Sequence, residues 1–345
     1  MKLAAFLLSA ALWAAVCTPA AAAAPPSGQE PAAIGETAEP ADGAFTIDLS
    51  IVGDCLLATH KGQTYKGSFS WYAARQEPAY FFEKVYDIFS ADDFTIVNLE
   101  NVLTDRPLKE KEKSTDPAYW FKAPAANAGI LAQNSVEAVS LANNHTGDYG
   151  EAGRKDTARA VEAAGLPYGT NDETVYLEKN GFTIALICHG LWNEGQASQI
   201  IRRLNEAAEN SDYQIVFFHG GKEGTHDVED WKQRACRKLA DAGADLVVGC
   251  HPHVLQPMEV YNGVNIVYSL GNFCYGGNRR PENRTVICRA VLTVEGGQLA
   301  DEAVEFIPCY VYTGNTNNWQ PAPITDEAER QKVLAFMEGR EKLPY

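Results

Sequence analysis

The chain has 345 residues, of which 46 % are hydrophobic, and it carries a formal net charge of −16 at pH 7. This length and apolar content are sufficient to bury the core of one large domain or two small ones, so a globular protein is expected. The acidic balance argues against nucleic acid as a partner and against binding to anionic membrane surfaces, because both would be repelled.

The N-terminus has the pattern of an export signal over residues 1–24. Lys2 precedes the apolar run LAAFLLSAALWAAV, and small residues suited to cleavage follow. Three alternatives fit this segment: cleavage after the alanines at 20–24, lipidation of Cys17, or retention as an uncleaved anchor. Each alternative predicts an extracytoplasmic protein that is secreted, periplasmic, or held at the cell surface by a membrane or lipid anchor.

Residues 25–44 are rich in Pro, Ala, Gly and acidic side chains without apolar periodicity, which predicts a flexible linker. From residue 45 to 312, runs typical of strands alternate with amphipathic runs typical of helices. This alternation predicts an α/β domain with a largely parallel or mixed sheet covered by helices, and residues 313–345 an extension with one packing helix. The predicted elements are strand 45–54, helix 79–90, strand 94–100, helix 126–134, strand 136–144, helix 151–165, hairpin 174–190, helix 196–209, strand 213–220, helix 228–243, strand 244–253, hairpins turning at Asn262-Gly263 and Gly296-Gly297, and helix 324–343.

The cysteines of the predicted domain are scattered at positions 55, 188, 236, 250, 274, 288 and 309. Most of them follow or interrupt apolar strand-like runs, and no CxxC pair occurs. This pattern favours buried thiols over a disulfide framework or a thiolate zinc site.

Polar side chains follow five of the predicted strands. Ligands of open α/β sheets gather at the carboxyl ends of strands, so these side chains are expected to converge on one site. Taken singly, each has a plain alternative as a turn, a helix cap or a hydrogen-bonded core histidine. Taken together, carboxylates, an amide oxygen and neutral imidazoles suit one or two divalent ions of Mn, Zn, Fe or Mg. The residues are Asp54, Asn98, Glu100, Asn143, Asn144, His145, His219, His251 and His253.

Six ordered motifs resemble those of the CapA-type capsule-synthesis, or poly-γ-glutamate biosynthesis, proteins. They are IVGD (51–54), VNLEN (97–101), SLANNHTGDYG (140–150), FFHGGKEG (217–224), DLVVGCHPHVLQPMEVYNG (245–263) and VYSLGNF (267–273), within a resemblance that runs from about residue 45 to 312. That family is similar to calcineurin-like metallophosphoesterases. The resemblance therefore implies a four-layer αββα sandwich, with mixed sheets covered by helices and a dinuclear metal site at the strand ends.

The resemblance also implies a role for each matching residue. The first metal would be held by Asp54 and His253, the second by Asn144, His219 and His251, and both by Glu100 in place of an aspartate. His145 is similar to the phosphoesterase histidine that stabilises the leaving group or oxyanion. Glu223 matches an acid of a family motif, and three interpretations of it stay open: a general base, a contact with substrate, or part of a plain surface loop. Supporting or substrate-contacting positions are Asn98, Asn143, Lys222 and Asn272.

The sequence departs from these patterns at three positions. Leu56 stands where phosphoesterases carry a histidine, so the first metal would be one ligand short and its occupancy is expected to be lowered. Cys250 and Gly221 stand where CapA-type proteins carry a histidine and an aromatic residue. Cys250 is either a soft metal ligand or a buried thiol at a strand end, and the second interpretation is favoured.

Three functions compete on this evidence. The first is a metal-dependent hydrolase or transferase that acts on a phosphoester or an amide of an anionic or peptide-like cell-envelope polymer. The second is a non-catalytic accessory or polymer-binding component of a membrane-bound capsule synthesis and export complex. The third, a degenerate scaffold, conflicts with the retention of so many polar strand ends. Between enzyme and accessory component the sequence does not choose, because a fold resemblance does not specify a reaction.

Overall fold

A computed structural model describes residues 43–114, 117–276 and 283–342. The export signal predicted for residues 1–24 and residues 25–42 of the predicted linker lie outside these ranges. Within them, no helix is both long and apolar enough to cross a membrane.

The folded domain consists of two large sheets, one small sheet and seven α-helices in the described ranges. The strands are β1 Phe45–Cys55, β2 Thr59–His60, β3 Phe94–Leu99, β4 Val102–Leu103, β5 Phe121–Ala123, β6 Ala138–Ser140, β7 Tyr168–Gly169, β8 Thr174–Lys179, β9 Phe182–Gly190, β10 Tyr213–His219, β11 Leu246–Cys250, β12 Leu255–Tyr261, β13 Val264–Leu270, β14 Arg284–Glu295, β15 Gln298–Tyr310 and β16 Ala322–Pro323. The helices are α1 Phe69–Ala73, α2 Tyr86–Phe89, α3 Ala128–Ala132, α4 Gly150–Ala163, α5 Ala197–Ala208, α6 Asp230–Asp241 and α7 Glu327–Met337.

Both large sheets are mixed. The seven-stranded sheet has the order β16-β15-β14-β1-β3-β6-β7, with β1 parallel to β3 and antiparallel to β14. The six-stranded sheet has the order β12-β13-β11-β10-β9-β8, with β9, β10, β11 and β13 parallel to one another. The small sheet has the order β2-β5-β4.

The two large sheets pack face to face, and the apolar residues on their facing sides form one buried cluster. Leu49 of β1 and Ala290 of β14 belong to it together with Leu186 of β9 and Ile215 of β10. The burial of these aliphatic side chains is the main source of stability for the sandwich. Val333, Phe336 and Met337 of α7 join the same cluster, so the C-terminal helix is indeed a packing element.

Helices cover the two outer faces. On the seven-stranded sheet, a second cluster combines strand residues such as Val97 and Val139 with Leu131 of α3 and Val161 of α4. On the six-stranded sheet, a third cluster combines strand residues with those of α5 and α6. The predicted four-layer αββα class, with mixed sheets covered by helices, is thereby confirmed.

The predicted helix at 79–90 is wrong as a continuous element. A 3-10 turn at Pro78–Phe81 and the short α2 replace it, and Phe82 between them has φ of −119° and ψ of 11°, outside the helical region. The break lets Phe82 and Phe89 both stack on Phe273, with ring centroids 6.1 and 5.9 Å away. Packing of large aromatic rings therefore overrides the local helical pattern here.

The hairpin turns are confirmed where the sequence places them. Asn180 and Gly181 have φ of 52° and 81°, and Asn262 and Gly263 have φ of 51° and 87°. Two successive residues with positive φ match the twist of the flanking strands, which is why Asn-Gly is favoured there. The cysteine prediction also holds in the described ranges, where all seven cysteines are buried and free of disulfides.

Candidate metal centre

The carboxyl ends of strands from both large sheets meet at one place. In the first sheet the pairing of β1 with β3 sets Asp54 opposite Asn98, after a register shift between Ile51 and Asp54. In the second sheet the pairing of β10 with β11 sets His219 opposite Cys250. The sequence-based expectation that these strand ends converge agrees with this arrangement.

Asp54 is the centre of the hydrogen-bond network. It is fully buried. Its Oδ1 accepts a hydrogen bond from Asn98 Nδ2 at 2.8 Å, and its Oδ2 accepts one from the His251 backbone N–H at 3.1 Å. The imidazole nitrogens His219 Nδ1 and His253 Nδ1 lie 3.4 Å from Oδ1 and 3.2 Å from Oδ2, respectively. One carboxylate thus contacts four other residues of the site.

A second group of contacts lies on the other side of the His219 ring. His219 Nε2 is 2.7 Å from Asn144 Oδ1 and 3.0 Å from His251 Nδ1. Asn144 itself is exposed, whereas both histidines are buried. The three residues that the resemblance assigns to the second metal are therefore in direct contact.

The two histidines on either side of Pro252 adopt an uncommon backbone. His251 has φ of 99° and His253 has φ of 59°, in a region that residues other than glycine rarely occupy. Such strain is stored where surrounding contacts enforce it, and it is frequent at functional sites. The strain directs both rings into the cluster, with their centroids 5.7 Å apart.

Glu100 is the most unusual member of the cluster. Its side chain is fully buried, yet neither carboxylate oxygen has a hydrogen-bond partner among the described residues. Three imidazole nitrogens face its Oε1 at distances beyond hydrogen bonding: His219 Nε2 at 3.6 Å, His145 Nε2 at 3.8 Å and His253 Nε2 at 4.0 Å. Donor atoms that share one ion through bonds of about 2.0–2.2 Å lie roughly 3–4 Å apart, so this spacing suits a cation.

Burial and neighbouring charges shift the pKa values of the side chains in the cluster. Burial raises the pKa of Glu100 well above its usual value, and the nearby charge of Asp54 adds to this effect. Burial also opposes ionisation of Asp54, but His219 and His253 hold the pKa of that carboxyl well below its usual value. Burial lowers the pKa of His251 to about 2. Metal ligation requires neutral imidazoles, and His251 is held in that form. Burial lowers the pKa of His253, but the charges of Glu100 and Asp54 raise it to about 10, so a metal bound there would displace a proton.

His145 is held by two residues that the sequence reasoning missed. Its Nδ1 lies 2.9 Å from Asp148 Oδ2, and Lys113 Nζ lies 2.5 Å from Asp148 Oδ1. Asp148 is fully buried and also accepts a hydrogen bond from the Phe121 backbone N–H at 2.8 Å. The spacing in the HTGD stretch, three residues from histidine to acid, was a signal that could have revealed this pair.

The other predicted residues divide into three groups. Asn98 and Asn272 contact ligands directly: Asn272 Oδ1 lies 2.9 Å from His253 Nδ1. Asn143 acts through the backbone, since its Oδ1 accepts hydrogen bonds from the N–H groups of His145 and Thr146. Glu223 lies at the rim, 64 % exposed and 4.0 Å from His251 Nε2. Lys222 is exposed, and no described contact joins it to the cluster.

The positions that depart from the family patterns fit their surroundings. Leu56 is buried beside the cluster and lines a cleft next to it. Cys250 is buried with its Sγ 3.3 Å from His219 Nδ1, and burial raises the pKa of its thiol well above the usual value. Gly221 has φ of 112°, and a Cβ there would lie 2.6 Å from Lys232 Nζ. A bulky side chain at that position would require the end of the Lys232 side chain to shift, and the positive φ disfavours residues other than glycine.

Trp192 is a further neighbour that the sequence reasoning missed. It follows β9, the strand beside β10, and its ring centroid lies 5.0 Å from that of His251 and 5.8 Å from that of His219. Its position two residues after a strand end was the available signal.

A cleft of about 470 Å³ borders the cluster as well, and its walls include His145, His253 and Asn272.

The comparisons with known proteins agree with this geometry. The profile of the family described as bacterial capsule synthesis protein PGA_cap matches residues 48–276, the range that contains every residue of the cluster. The chain belongs to this family. The resemblance inferred from the six sequence motifs is thereby confirmed.

Two Bacillus relatives extend the match. This PGA_cap protein is 32 % identical over 312 residues to the PGA biosynthesis protein CapA of Bacillus subtilis (strain 168), covering 84 % of this chain and 76 % of that protein. It is 25 % identical over 312 residues to the capsule biosynthesis protein CapA of Bacillus anthracis, covering 83 % and 72 %. A crystal structure of a hypothetical protein from Thermus thermophilus is similar with a TM-score of 0.46 and 16 % identity, covering 76 % of this chain and 99 % of that one.

The donor set of this PGA_cap protein fits a divalent cation. Within each of two groups, the candidate ligand atoms lie within 4.8 Å of one another: one group is Asp54, His219 and Cys250, and the other is Glu100, His251 and His253. Nitrogen and carboxylate oxygen donors suit Zn, Mn or Fe, and the Glu100 carboxylate, which lacks a hydrogen-bond partner among the described residues, supplies the charge that a cation would neutralise. Which of these residues bind the metal, and whether Cys250 is one of them, stays a prediction.

Proposed function

We propose that this PGA_cap protein is an extracytoplasmic, metal-dependent hydrolase or transferase that acts on a polymer of the capsule or poly-γ-glutamate type. The observation that carries the proposal is the buried Glu100 carboxylate, whose oxygens have no hydrogen-bond partner among the described residues and face three imidazoles. Leaving a buried charge unpaired costs several kcal/mol, so a cation bound there would relieve an otherwise unfavourable arrangement.

Several residues would hold the metal in this proposal: Asp54, Glu100, Asn144, His219, His251 and His253. A bound divalent ion supplies Lewis acidity to a scissile carbonyl or phosphoryl oxygen. Asn98 and Asn272 would orient Asp54 and His253 through the hydrogen-bond contacts described above, as supporting residues do in metal sites.

Proton transfer would fall to His145. Its Nδ1 is held by Asp148, so its Nε2 faces the cluster, 3.8 Å from Glu100 Oε1. An imidazole oriented in this way is suited to protonate a leaving group. Glu223 at the rim is the alternative proton carrier, and its exposure also suits a contact with substrate.

One observation favours the alternative function, a non-catalytic accessory component of polymer assembly and export. Leu56 is buried next to the cluster at the position where phosphoesterases carry a metal-binding histidine. A site with one ligand fewer would bind the first ion more weakly, and binding of a polymer without cleavage would then be the remaining role.

Elemental analysis of protein purified without chelator tests the proposal. We expect metal near or above one equivalent, strongly reduced in His251→Ala and Asp54→Ala but retained in His226→Gln, a histidine outside the cluster. Metal-loaded protein should then cleave a phosphoester or a γ-glutamyl amide, and His145→Ala should lose cleavage while it keeps its metal. Absence of metal after incubation with Mn or Zn would contradict the proposal, and metal without any cleavage would favour the accessory role.

A further inference from the structure

The cleft beside the metal cluster has walls of aromatic rings. Its lining includes Tyr65, Phe69, Tyr119, Phe121, Tyr275 and Trp319, next to His145 and His253. Tyr65 and Tyr119 are 61 % and 44 % exposed, which is high for large rings. A cleft of about 470 Å³ is large enough for a ligand of a few rings or residues.

One wall of the cleft is a group of aromatic rings in mutual contact. The rings of Tyr119 and Phe121 are nearly parallel, at 5° and 6.2 Å between centroids, and the His60 ring meets them edge-on at 5.1 and 6.0 Å. Backbone pairing of β2 with β5 sets His60 opposite Phe121 and so fixes this arrangement. The exposed Tyr119 ring is therefore held in position by its neighbours before a ligand binds.

The described lining of the cleft contains no lysine or arginine. Its charged members are acidic or imidazole groups, with Glu223 at the mouth, and the whole chain has a net charge of −16. Lys113, which contacts His145, is paired with Asp148 at 2.5 Å. Apart from a metal bound at the neighbouring cluster, a carboxylate or phosphate on a ligand in this cleft would find no lysine or arginine among the described lining residues.

Neutral polar groups complete the lining. Gln63, Thr59, Ser68 and His60 lie beside the aromatic rings. Their amide, hydroxyl and imidazole groups donate and accept hydrogen bonds without carrying a full charge in the neutral state. The face of an aromatic ring has a negative quadrupole, which attracts polarised C–H groups. A lining that combines aromatic faces with neutral hydrogen-bonding groups is therefore complementary to a sugar ring.

We infer that this cleft binds an uncharged sugar ring, so that the substrate presented to the metal cluster is a glycan or a glycan-linked unit of the envelope polymer. The C–H face of the ring would stack on Tyr119 and Tyr65, and its hydroxyl groups would hydrogen-bond to the neutral side chains opposite. The inference rests on the proposed function for the reaction, but sugar binding itself requires no metal.

Calorimetric titration with two neutral oligosaccharides, triacetylchitotriose and maltotriose, tests the inference. We expect at least one of them to bind both with and without EDTA. Tyr65→Ala and Tyr119→Ala should each weaken this binding about tenfold, because each removes an exposed stacking face. Tyr176→Ala, which removes a 46 % exposed tyrosine on β8, is the matched control and should leave binding unchanged.

The outcomes separate this inference from the proposed function when metal content is measured on the same samples. Full metal content with no saccharide binding, or saccharide binding that neither tyrosine variant weakens, would overturn the inference and leave the proposed function standing. Tighter binding of a γ-glutamyl oligomer than of either saccharide, lost in Tyr119→Ala, would also overturn it. Saccharide binding by a protein that takes up no metal would support the inference and contradict the proposed function.

Discussion

The backbone N–H of His251 donates a hydrogen bond to Asp54 Oδ2 across 197 positions of sequence, at a distance of 3.1 Å. Asp54 lies near the carboxyl end of β1, the central strand of one sheet, and His251 directly follows β11 of the other. The bond therefore fastens the strained His251-Pro252-His253 segment to the opposite sheet. The two halves of the site come together only when the sandwich is complete, so folding and metal affinity are expected to be coupled.

Replacement of Glu100 by glutamine should stabilise the metal-free protein and abolish its response to metal. In EDTA at neutral pH, the variant removes a buried carboxylate without a partner among the described residues, so the free energy of unfolding should rise by about 1 kcal/mol or more. Metal affinity should fall at least about 100-fold, because a charged ligand is lost. Thermal unfolding with EDTA and with added Mn measures both effects.

Thr104→Val is the control for changes to a buried polar group outside the cluster, and it should keep the full response to metal. Equal rises in melting temperature on adding Mn to Glu100→Gln and to the unmodified protein would contradict the role of Glu100 as a ligand.

Replacement of Asp148 by asparagine should lower turnover without loss of metal. Asp148 contacts Nδ1 of His145 at 2.9 Å, and a neutral amide at this position orients and charges the imidazole less well. We expect kcat to fall about 10- to 100-fold with an unchanged metal content, since supporting residues of this kind contribute in that range. A pH profile of kcat should shift in the variant. A change confined to KM, with the profile intact, would count against the positioning role.

Local patterns in the sequence are sufficient for much of the fold and for most of the cluster. Runs of β-branched residues mark the strands, Asn-Gly pairs mark the hairpin turns, and the polar residue after each strand, such as Asp54 or His219, marks the site. These signals are local because the alternation of side chains along a strand and the geometry of a tight turn depend on neighbouring residues.

Contacts made by loops were not predictable in the same way. Lys113 reaches His145 from a loop 32 positions away, and the rings of Tyr65 and Trp319 meet at one cleft from distant parts of the chain. Such contacts depend on tertiary packing, which carries no periodic signature. The broken helix at 79–90 has the same origin, since stacking on Phe273 outweighs helix propensity.

Replacement of Gly53 by alanine should destabilise the domain and disturb Asp54 beside it. A Cβ at this position would lie 2.0 Å from the backbone oxygen of Gly271, so either β1 or the backbone after β13 must shift, at a cost of about 3 kcal/mol. Gly129→Ala in α3 is the matched control. Its Cβ would meet only Gln133 Nε2 at 3.5 Å, so it should stabilise the protein by about 0.5–1 kcal/mol. Urea unfolding measures both values, and equal midpoints would contradict the argument.

Asp92 provides a test of stability against pH that is independent of the metal cluster. Burial raises the pKa of its carboxyl from 3.8 to about 7, and the nearby charges of Glu137 and Asp48 add to the shift. Between these two values the native state binds more protons than the unfolded state, so the free energy of unfolding should fall as the pH rises through this window.

Asp92→Asn should therefore match the unmodified protein near pH 4 and become progressively more stable than it towards pH 7, with a constant difference above. The substitution keeps an oxygen that can accept the hydrogen bond now donated by Thr95 Oγ1 at 2.8 Å, so it removes the charge with little change in shape. Urea unfolding in EDTA across this range, with Asp172→Asn on an exposed turn as the control for charge removal, measures the difference. A stability difference that does not vary with pH would show that Asp92 does not titrate in this window, because linkage requires the two states to differ in bound protons wherever the slopes differ.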